Sequence, residues 1–134
     1  MSPVRESHYI AAYLRRKFDF IRQWTRRGTL LWVQWYMRHG RCLTMYLKGR
    51  LVGVTMLRFL DEPMQGLTDY FDTGGRVAYI ETTACDRGMM PPMFKHLRLT
   101  FPALDTICWV RSKHQNRPVI FPISRVTPKL LARI

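Results

Sequence analysis

Glu81 is the residue whose type and surroundings most favour a catalytic role. It is the only acid inside the run Val77 to Ala84, which is otherwise uncharged and rich in the β-branched and aromatic residues of a buried strand. A carboxyl group in such a place is a candidate general base, because burial and neighbouring charges adjust how readily it takes up a proton. Two ordinary roles remain open: the side chain faces solvent, or it pairs with a nearby arginine.

The turn that follows this run has the features of an anion site. Gly88 frees the backbone to turn, and two prolines further on suit the first turn of a helix. A strand that feeds a helix in this way leaves backbone N–H groups unpaired beyond its end, and phosphate is their usual ligand. Arg87 and the N–H groups of Gly88 and Met89 are the predicted contacts. Asp86 either belongs to this site or caps the helix that follows.

These residues lie in a predicted βαβ unit. After the strand and the turn, Met93 to Phe101 has the apolar spacing of a helix that Pro102 ends, and Asp105 to Arg111 is a second strand. Strands joined by a helix in one sheet lie parallel with a right-handed crossover. The pattern therefore predicts an α/β protein with a mixed (α+β) sheet.

Two helices are expected at the start of the chain. Apolar residues recur every three or four positions from Glu6 to Arg27, which predicts an amphipathic helix that ends at Gly28. Thr29 to His39 carries helix start and stop signals but also alternates like a strand, and we expect a short, largely buried helix there.

A β-hairpin and a long loop follow these helices. Arg41 to Phe59 alternates in the manner of two strands around a turn at Lys48-Gly49-Arg50. Gly53 indicates a bulge or a close backbone approach in the second strand. Asp61 to Gly75, rich in Gly and acids, is either a lid over a site or a surface connection.

The charge of the chain points to an anionic partner. Its 134 residues suit one domain, and they carry 22 Lys and Arg against nine acids, a net charge of +13. Such an excess favours nucleic acid, a phosphorylated ligand or an anionic membrane surface. If the partner is nucleic acid, the candidate contacts are the basic residues of the first helix and its end, which otherwise form a solvated face: Arg15, Arg16, Arg22, Arg26 and Arg27.

The three cysteines, Cys42, Cys85 and Cys108, are widely spaced and include no C-x-x-C pair. This pattern argues against a disulfide framework and a zinc site and is typical of a reducing compartment. Cys85 is either an acyl acceptor or a packing residue. With no signal-like or membrane-spanning run, we expect a cytoplasmic protein without a bound metal.

The order helix, helix, hairpin, loop, strand, turn, helix, strand resembles the GNAT superfamily of N-acetyltransferases without its first strand. The segment from Cys42 to Val54 resembles the family's second and third strands, including its "dGrlVGv" phrase, and Tyr79 to Phe101 resembles the strand and helix whose turn holds the acyl-CoA pyrophosphate. Within the superfamily, the stretch is most similar to toxin-activating lysine acyltransferases and small phage-encoded members. The resemblance implies an acyl-CoA-dependent N-acyltransferase acting on an amine of a macromolecular substrate.

The resemblance also suggests site residues. Glu81 matches the strand-borne acid of that subgroup, which makes it the expected catalytic base. His114 and Asn116 follow the last strand, where the superfamily often has a polar residue that contacts cofactor or substrate. Surface solvation is the alternative for both.

The chain also departs from the family pattern. Of the usual R-x-x-G-x-G/A signature only Arg87-Gly88 is present, and Pro91 and Pro92 remove two amide donors. Few residues follow Arg111, so either the sheet is minimal or a partner subunit completes it, as in a homodimer. The alternative function is a non-enzymatic nucleic-acid-binding protein on a GNAT-like scaffold.

Overall fold

The computed structural model describes residues 1–66, 71–111 and 117–127. In chain order its helices and strands are α1 (Pro3–Lys17), α2 (Asp19–Arg22), α3 (Arg26–Arg38), β1 (Cys42–Leu47), β2 (Arg50–Leu60), β3 (Val77–Cys85), α4 (Met90–Thr100), β4 (Thr106–Arg111) and β5 (Arg117–Pro122). None of the helices in these ranges combines the length and the apolar character that crossing a membrane requires.

The prediction of one helix from Glu6 to Arg27 is wrong, because the chain turns within it. Helix α1 ends where Phe18 adopts an extended conformation, and α3 begins after Thr25, whose hydroxyl accepts a hydrogen bond from the amide of Gly28 at 2.9 Å. A capping hydroxyl offers the backbone an alternative to continuing the helix. Gly28 therefore lies in the first turn of α3, and the N-cap of this helix is Thr25, not Thr29, where the sequence pattern places the start of the helix.

Helix α3 confirms the helical interpretation of the segment from Thr29 to His39 and starts three residues earlier. Thr29, Val33 and Tyr36 are its buried residues, and they follow the three- and four-residue spacing of a helix face. The alternation that suggested a strand is coincidental, because tryptophans on the flanks of this face are only half buried.

The hairpin of β1 and β2 forms as predicted. Its two turn residues, Lys48 and Gly49, have φ angles of 52° and 79°, as a two-residue hairpin turn requires. The register shifts opposite Met45 and Tyr46, which leaves Val52 as a bulge beside Gly53. A Cβ at Gly53 would lie 3.0 Å from the sulfur of Met93, so the close backbone approach is also real.

The five strands form one mixed sheet in the order β1-β2-β3-β4-β5, with β3 and β4 parallel and the other neighbours antiparallel. Helices α1 and α3 pack with one side of β2, and α4 packs on the other side against residues of β3, β4 and β5. The predicted βαβ unit and the mixed α/β fold are confirmed. Beyond β4, the described residues add one antiparallel strand from the same chain.

Candidate active site

The sheet splits between its two parallel strands. Val77, Ala78 and Tyr79 pair with residues 106–108 of β4, and the described residues show no pairing between these strands beyond that point. Strand β3 continues to Cys85 beside β2, while β4 continues beside β5. The two strands therefore separate after Tyr79 and leave a cleft in the middle of the sheet.

Glu81 lies at the start of this cleft on a β-bulge. Leu57 of β2 pairs with Ile80 and Met56 pairs with Thr82, so Glu81 is the extra residue between them. A bulge changes the direction in which a side chain points, and bulges are common beside active sites. Glu81 is neither buried nor fully exposed, since 28% of its side chain is accessible.

Of the two ordinary roles open to Glu81, the structure shows the ion pair. An Nη2 of Arg58 lies 3.2 Å from Oε2 of Glu81, and only 3% of the Arg58 side chain is exposed. The same guanidinium lies 5.1 Å from the ring centre of Tyr79 and donates to the carbonyl of Gly66 at 3.4 Å. The pair fixes the orientation of the carboxyl group relative to the cleft.

A small cavity of about 20 Å³ lies between the separating strands and α4. Its walls are Thr55, Ile80, Thr83, Met90, Met93, Phe94, Leu97 and Ile107. The only polar groups among these side chains are the hydroxyls of Thr55 and Thr83, which are 2.9 Å apart. A space of this size holds about one water molecule, and the two methionines are the wall residues that adapt most readily to a larger group.

In the turn from β3 to α4, one of the amides predicted to bind phosphate already donates a hydrogen bond within the turn. The amide of Met89 donates to the carbonyl of Asp86 at 3.0 Å, and Gly88 has a φ of 81°. The amides of Arg87 and Gly88 donate to no other group of the described residues. Since prolines occupy the first turn of α4, few backbone donors remain at this end of the cleft.

Asp86 does not cap α4, which corrects the alternative considered for it. The N-cap residue is Met89, which makes no side-chain bond, while the carboxylate of Asp86 points towards α1. It accepts from the hydroxyl of Tyr13 at 2.8 Å and lies 3.0 Å from Nζ of Lys17 and 3.4 Å from Nη2 of Arg50. The hydrogen bonds from Lys17 and Tyr13 lower the pKa of Asp86.

Two cations, Lys17 and Arg50, contact this carboxylate. Together with two neighbouring arginines they form what we call the basic cluster: Arg16, Lys17, Arg50 and Arg87. Arg16 and Lys17 lie 5.4 and 5.2 Å from the ring centre of Tyr13, and Arg87 is the exposed residue that follows Asp86. Sequence reasoning missed Lys17 and Arg50, because they come from the end of α1 and from the hairpin. The cluster places an excess of positive charge at the phosphate end predicted for the cleft.

Comparison with solved structures identifies the architecture. A protein described as a GphF GNAT-like decarboxylase in complex with isobutyryl-CoA aligns with a TM-score of 0.54 and 15% identity, over 81% of this chain and 63% of that one. The chain has a GNAT-like fold. An acetyltransferase aligns with a TM-score of 0.46 and 12% identity, over 82% of this chain and 78% of that one. No family model and no curated protein matches the sequence.

The GNAT-like fold agrees with the resemblance seen in the sequence. The narrower similarity to toxin-activating lysine acyltransferases and small phage-encoded members stays a prediction. The chain spans about 63% of the length of the decarboxylase it matches. Because distant structural likeness identifies a scaffold rather than an activity, function must be argued from the residues of the cleft.

Two predicted site residues of the GNAT-like fold, His114 and Asn116, lie outside the described residues. Among the residues that are described, no three of His, Cys, Asp and Glu lie close enough together to hold a metal ion.

The predicted nucleic-acid contacts do not form one exposed face. Nη1 of Arg15 donates to the carbonyls of Trp24 at 2.8 Å and Ile21 at 3.3 Å, so it holds the turn between the helices together. Arg22 pairs with Asp19 one helical turn away. Like Arg22, the remaining three, Arg16, Arg26 and Arg27, are exposed, and they come from two different helices, α1 and α3.

Cys85 packs against the cluster of apolar side chains under α4. Burial raises the pKa of its thiol to about 11. The thiol is therefore protonated near neutral pH, which favours packing over the acyl-acceptor role.

Proposed function

We propose that the chain is an acyl-CoA-dependent N-acyltransferase that modifies an amine of a macromolecular substrate. The observation that carries this proposal is the cleft between β3 and β4, which has Glu81 near its closed end and the basic cluster beyond its open end. Four residues of β3 lie between Glu81 and Asp86, and the five steps from one to the other span about 16 Å in a strand. An acyl-CoA likewise has its thioester at one end of an extended arm and its phosphates at the other.

Glu81 is the proposed general base. The amine nitrogen attacks the thioester carbonyl carbon and gives one proton to Glu81, directly or through one water. The C–S bond then breaks, and the leaving CoA thiolate becomes the thiol by taking a proton from the protonated Glu81 or from solvent. Among the described residues, backbone groups of β3 beyond Tyr79 have no partner on β4. An N–H among them is a fitting donor to the developing oxyanion. Arg58 keeps the carboxylate oriented without occupying both of its oxygens.

The acyl group is proposed to lie against the cavity between Ile80, Ile107 and α4. Its walls are apolar apart from the Thr55 and Thr83 hydroxyls, which suits a short acyl chain beside a polar carbonyl. The net charge of +13 suits an acidic macromolecule as the acceptor.

Glu81→Gln tests the base directly. We expect CoA release in the presence of a polyamine acceptor to fall by about a hundredfold or more, with acetyl-CoA binding unchanged in a thermal-shift titration. Glu62→Gln, a change of the same kind at an exposed site, should leave both unchanged. An unaltered rate in the Glu81 variant would remove the residue from its role.

The matched decarboxylase is described as binding isobutyryl-CoA, so the reaction must be separated from ligand binding. Amine-dependent release of CoA with a mass increase on the acceptor supports transfer. If neither acetyl-CoA nor isobutyryl-CoA raises the melting temperature of the wild-type protein, the proposed function is wrong.

A second candidate is non-enzymatic nucleic-acid binding, which the exposed side of α2 and α3 favours. Phe20 and Trp24 are 53% and 40% exposed, and Arg26 and Arg27 follow them. Exposed aromatic rings and guanidinium groups together suit stacked bases and phosphates. Trp32 is half buried and Tyr36 is fully buried, so Tyr36 cannot stack on a base. This candidate would be favoured if the protein bound a single-stranded oligonucleotide in a salt-dependent way and bound no acyl-CoA. Arg26→Gln and Arg27→Gln should then weaken oligonucleotide binding.

A further inference from the structure

The anionic ligand of the cleft has to be held mainly by side chains. Pro91 and Pro92 have no N–H to offer, and the amide of Met89 already donates to the carbonyl of Asp86. Only the amides of Arg87 and Gly88 remain available in the described part of this turn. The basic cluster, in contrast, brings the side chains of Arg16, Lys17 and Arg50 to this end of the cleft. The exposed Arg87 follows Asp86 directly in the chain.

The carboxylate of Asp86 already contacts two members of the basic cluster. Its two carboxylate oxygens face different cations, with Oδ1 at 3.0 Å from Lys17 and Oδ2 at 3.4 Å from Arg50. Lys17 is 33% and Arg50 78% exposed, and the carboxylate itself is 27% exposed. An anion from solvent can therefore reach both cations without unfolding any element.

We propose that Asp86 is an internal anion which holds Lys17 and Arg50 in position and which a diphosphate group of the ligand displaces from them. The diphosphate then bridges α1, the β1–β2 hairpin and the turn after β3 through Lys17, Arg50 and Arg87. This inference rests on the proposed function for the identity of the ligand, an acyl-CoA, but not for the binding of a diphosphate.

The two effects of Asp86 have opposite signs. Without a ligand, its negative charge offsets repulsion within the basic cluster and so stabilises the fold. With a ligand bound, the same charge repels the phosphates and competes for their partners. Removing the charge should therefore lower stability and raise affinity, a combination that a purely structural residue does not produce.

Asp86→Asn tests this directly, because asparagine keeps an oxygen for the hydroxyl of Tyr13 and removes only the charge. We expect the variant's melting temperature to fall by about 3 °C and its dissociation constants for inorganic pyrophosphate and acetyl-CoA to decrease about fivefold at low salt. The gain in affinity should shrink in 0.5 M salt, because exposed charges are screened. Isothermal titration calorimetry measures both ligands.

Asp105→Asn is the matched control. Asp105 is an exposed aspartate at the other end of the sheet, where its amide bonds to the carbonyl of Arg76 just before β3. The Asp105→Asn substitution should leave the dissociation constants for pyrophosphate and acetyl-CoA unchanged. If Asp86→Asn proves too unstable to purify, Lys17→Gln and Arg50→Gln should each weaken pyrophosphate binding severalfold, whereas Arg98→Gln in the last turn of α4 should not.

The outcomes separate this inference from the proposed function. Wild-type protein that binds acetyl-CoA, with equal or weaker binding by Asp86→Asn, would overturn the inference and leave the proposed function standing. Pyrophosphate binding that tightens in Asp86→Asn, with no acyl-CoA binding by any form, would support the inference and overturn the proposed function. Binding unaffected by Lys17→Gln and Arg50→Gln would exclude the side-chain site.

Discussion

At the scale of single residues, the immediate partners of each polar group decide its role. Glu81 and Asp86 lie on or directly beside one strand, yet Glu81 faces one buried guanidinium while Asp86 faces two accessible cations and a phenol. The first arrangement holds a carboxylate in one orientation beside the proposed reacting centre. The second holds cations that another anion can take over, so two acids of similar chemistry acquire different proposed functions.

The cysteines give a prediction at the same scale. Burial raises the pKa of Cys85 to about 11 and that of Cys42 to about 12, and it also raises the pKa of Cys108. Because only the thiolate reacts, alkylation of Cys85 by iodoacetamide at pH 8 should be at least about a hundredfold slower in the native protein than in denaturant. Peptide mass spectrometry over a time course measures each site. Equal rates in both states would show that Cys85 is accessible as a thiolate.

At the scale of elements, the site depends on how α4 sits over the separating strands. Met90 and Met93 come from the first turns of this helix and close the cavity between β3 and β4. Strand β2 approaches this helix closely at Gly53. A Cβ added there would lie only 3.0 Å from the sulfur of Met93. The position of α4 therefore determines the size of this cavity, which is the proposed acyl site.

Met90→Ala should enlarge the acyl site at little cost to the core, since Met90 is only half buried. We expect the ratio of kcat/KM for isobutyryl-CoA to that for acetyl-CoA to rise up to about tenfold, as one or two extra methyl groups find space. Leu99→Ala, on the same helix but 72% exposed, is the control. An unchanged ratio would place the acyl group elsewhere.

At the scale of the whole molecule, one ion pair joins distant parts of the chain around the sheet. Arg41, between α3 and β1, donates to Asp72 through Nε at 2.6 Å and Nη2 at 3.1 Å. Asp72 also accepts from the amides of Phe59 and Gly74. Burial alone would raise the pKa of Asp72, but these hydrogen bonds outweigh it and lower the pKa overall.

A lowered pKa gives this pair a defined pH dependence. The stabilisation is complete above the usual aspartate pKa of about 3.9 and is lost as pH falls through the lower native value. Asp72→Asn should therefore lower the melting temperature by about 5 °C at pH 7 and flatten its decline below pH 4. Thermal unfolding from pH 2 to pH 7 tests this, with Asp105→Asn as the control. If the melting temperatures of the wild type and of Asp72→Asn declined in parallel below pH 4, the prediction would be contradicted.

The sequence by itself determined the elements that local chemistry specifies. Alternating residues and a Lys-Gly turn specify the hairpin, and an uncharged run, a glycine turn and an apolar helix face specify the βαβ unit around Glu81. From these the GNAT-like plan followed. The turn after α1 could not be predicted in this way. The helical spacing of apolar residues continues through it, while the capping hydroxyl of Thr25 redirects the backbone.

Only the tertiary structure decided what the site residues face. Tyr13 and Asp86 are 73 residues apart, and Arg50 and Asp86 are 36 apart, so no local pattern predicts their contact. Arg58 reaches Glu81 because β2 and β3 pair in a register that a bulge shifts by one residue. Side-chain electrostatics depends on distances of a few ångströms, and such distances between remote segments exist only once the sheet has formed.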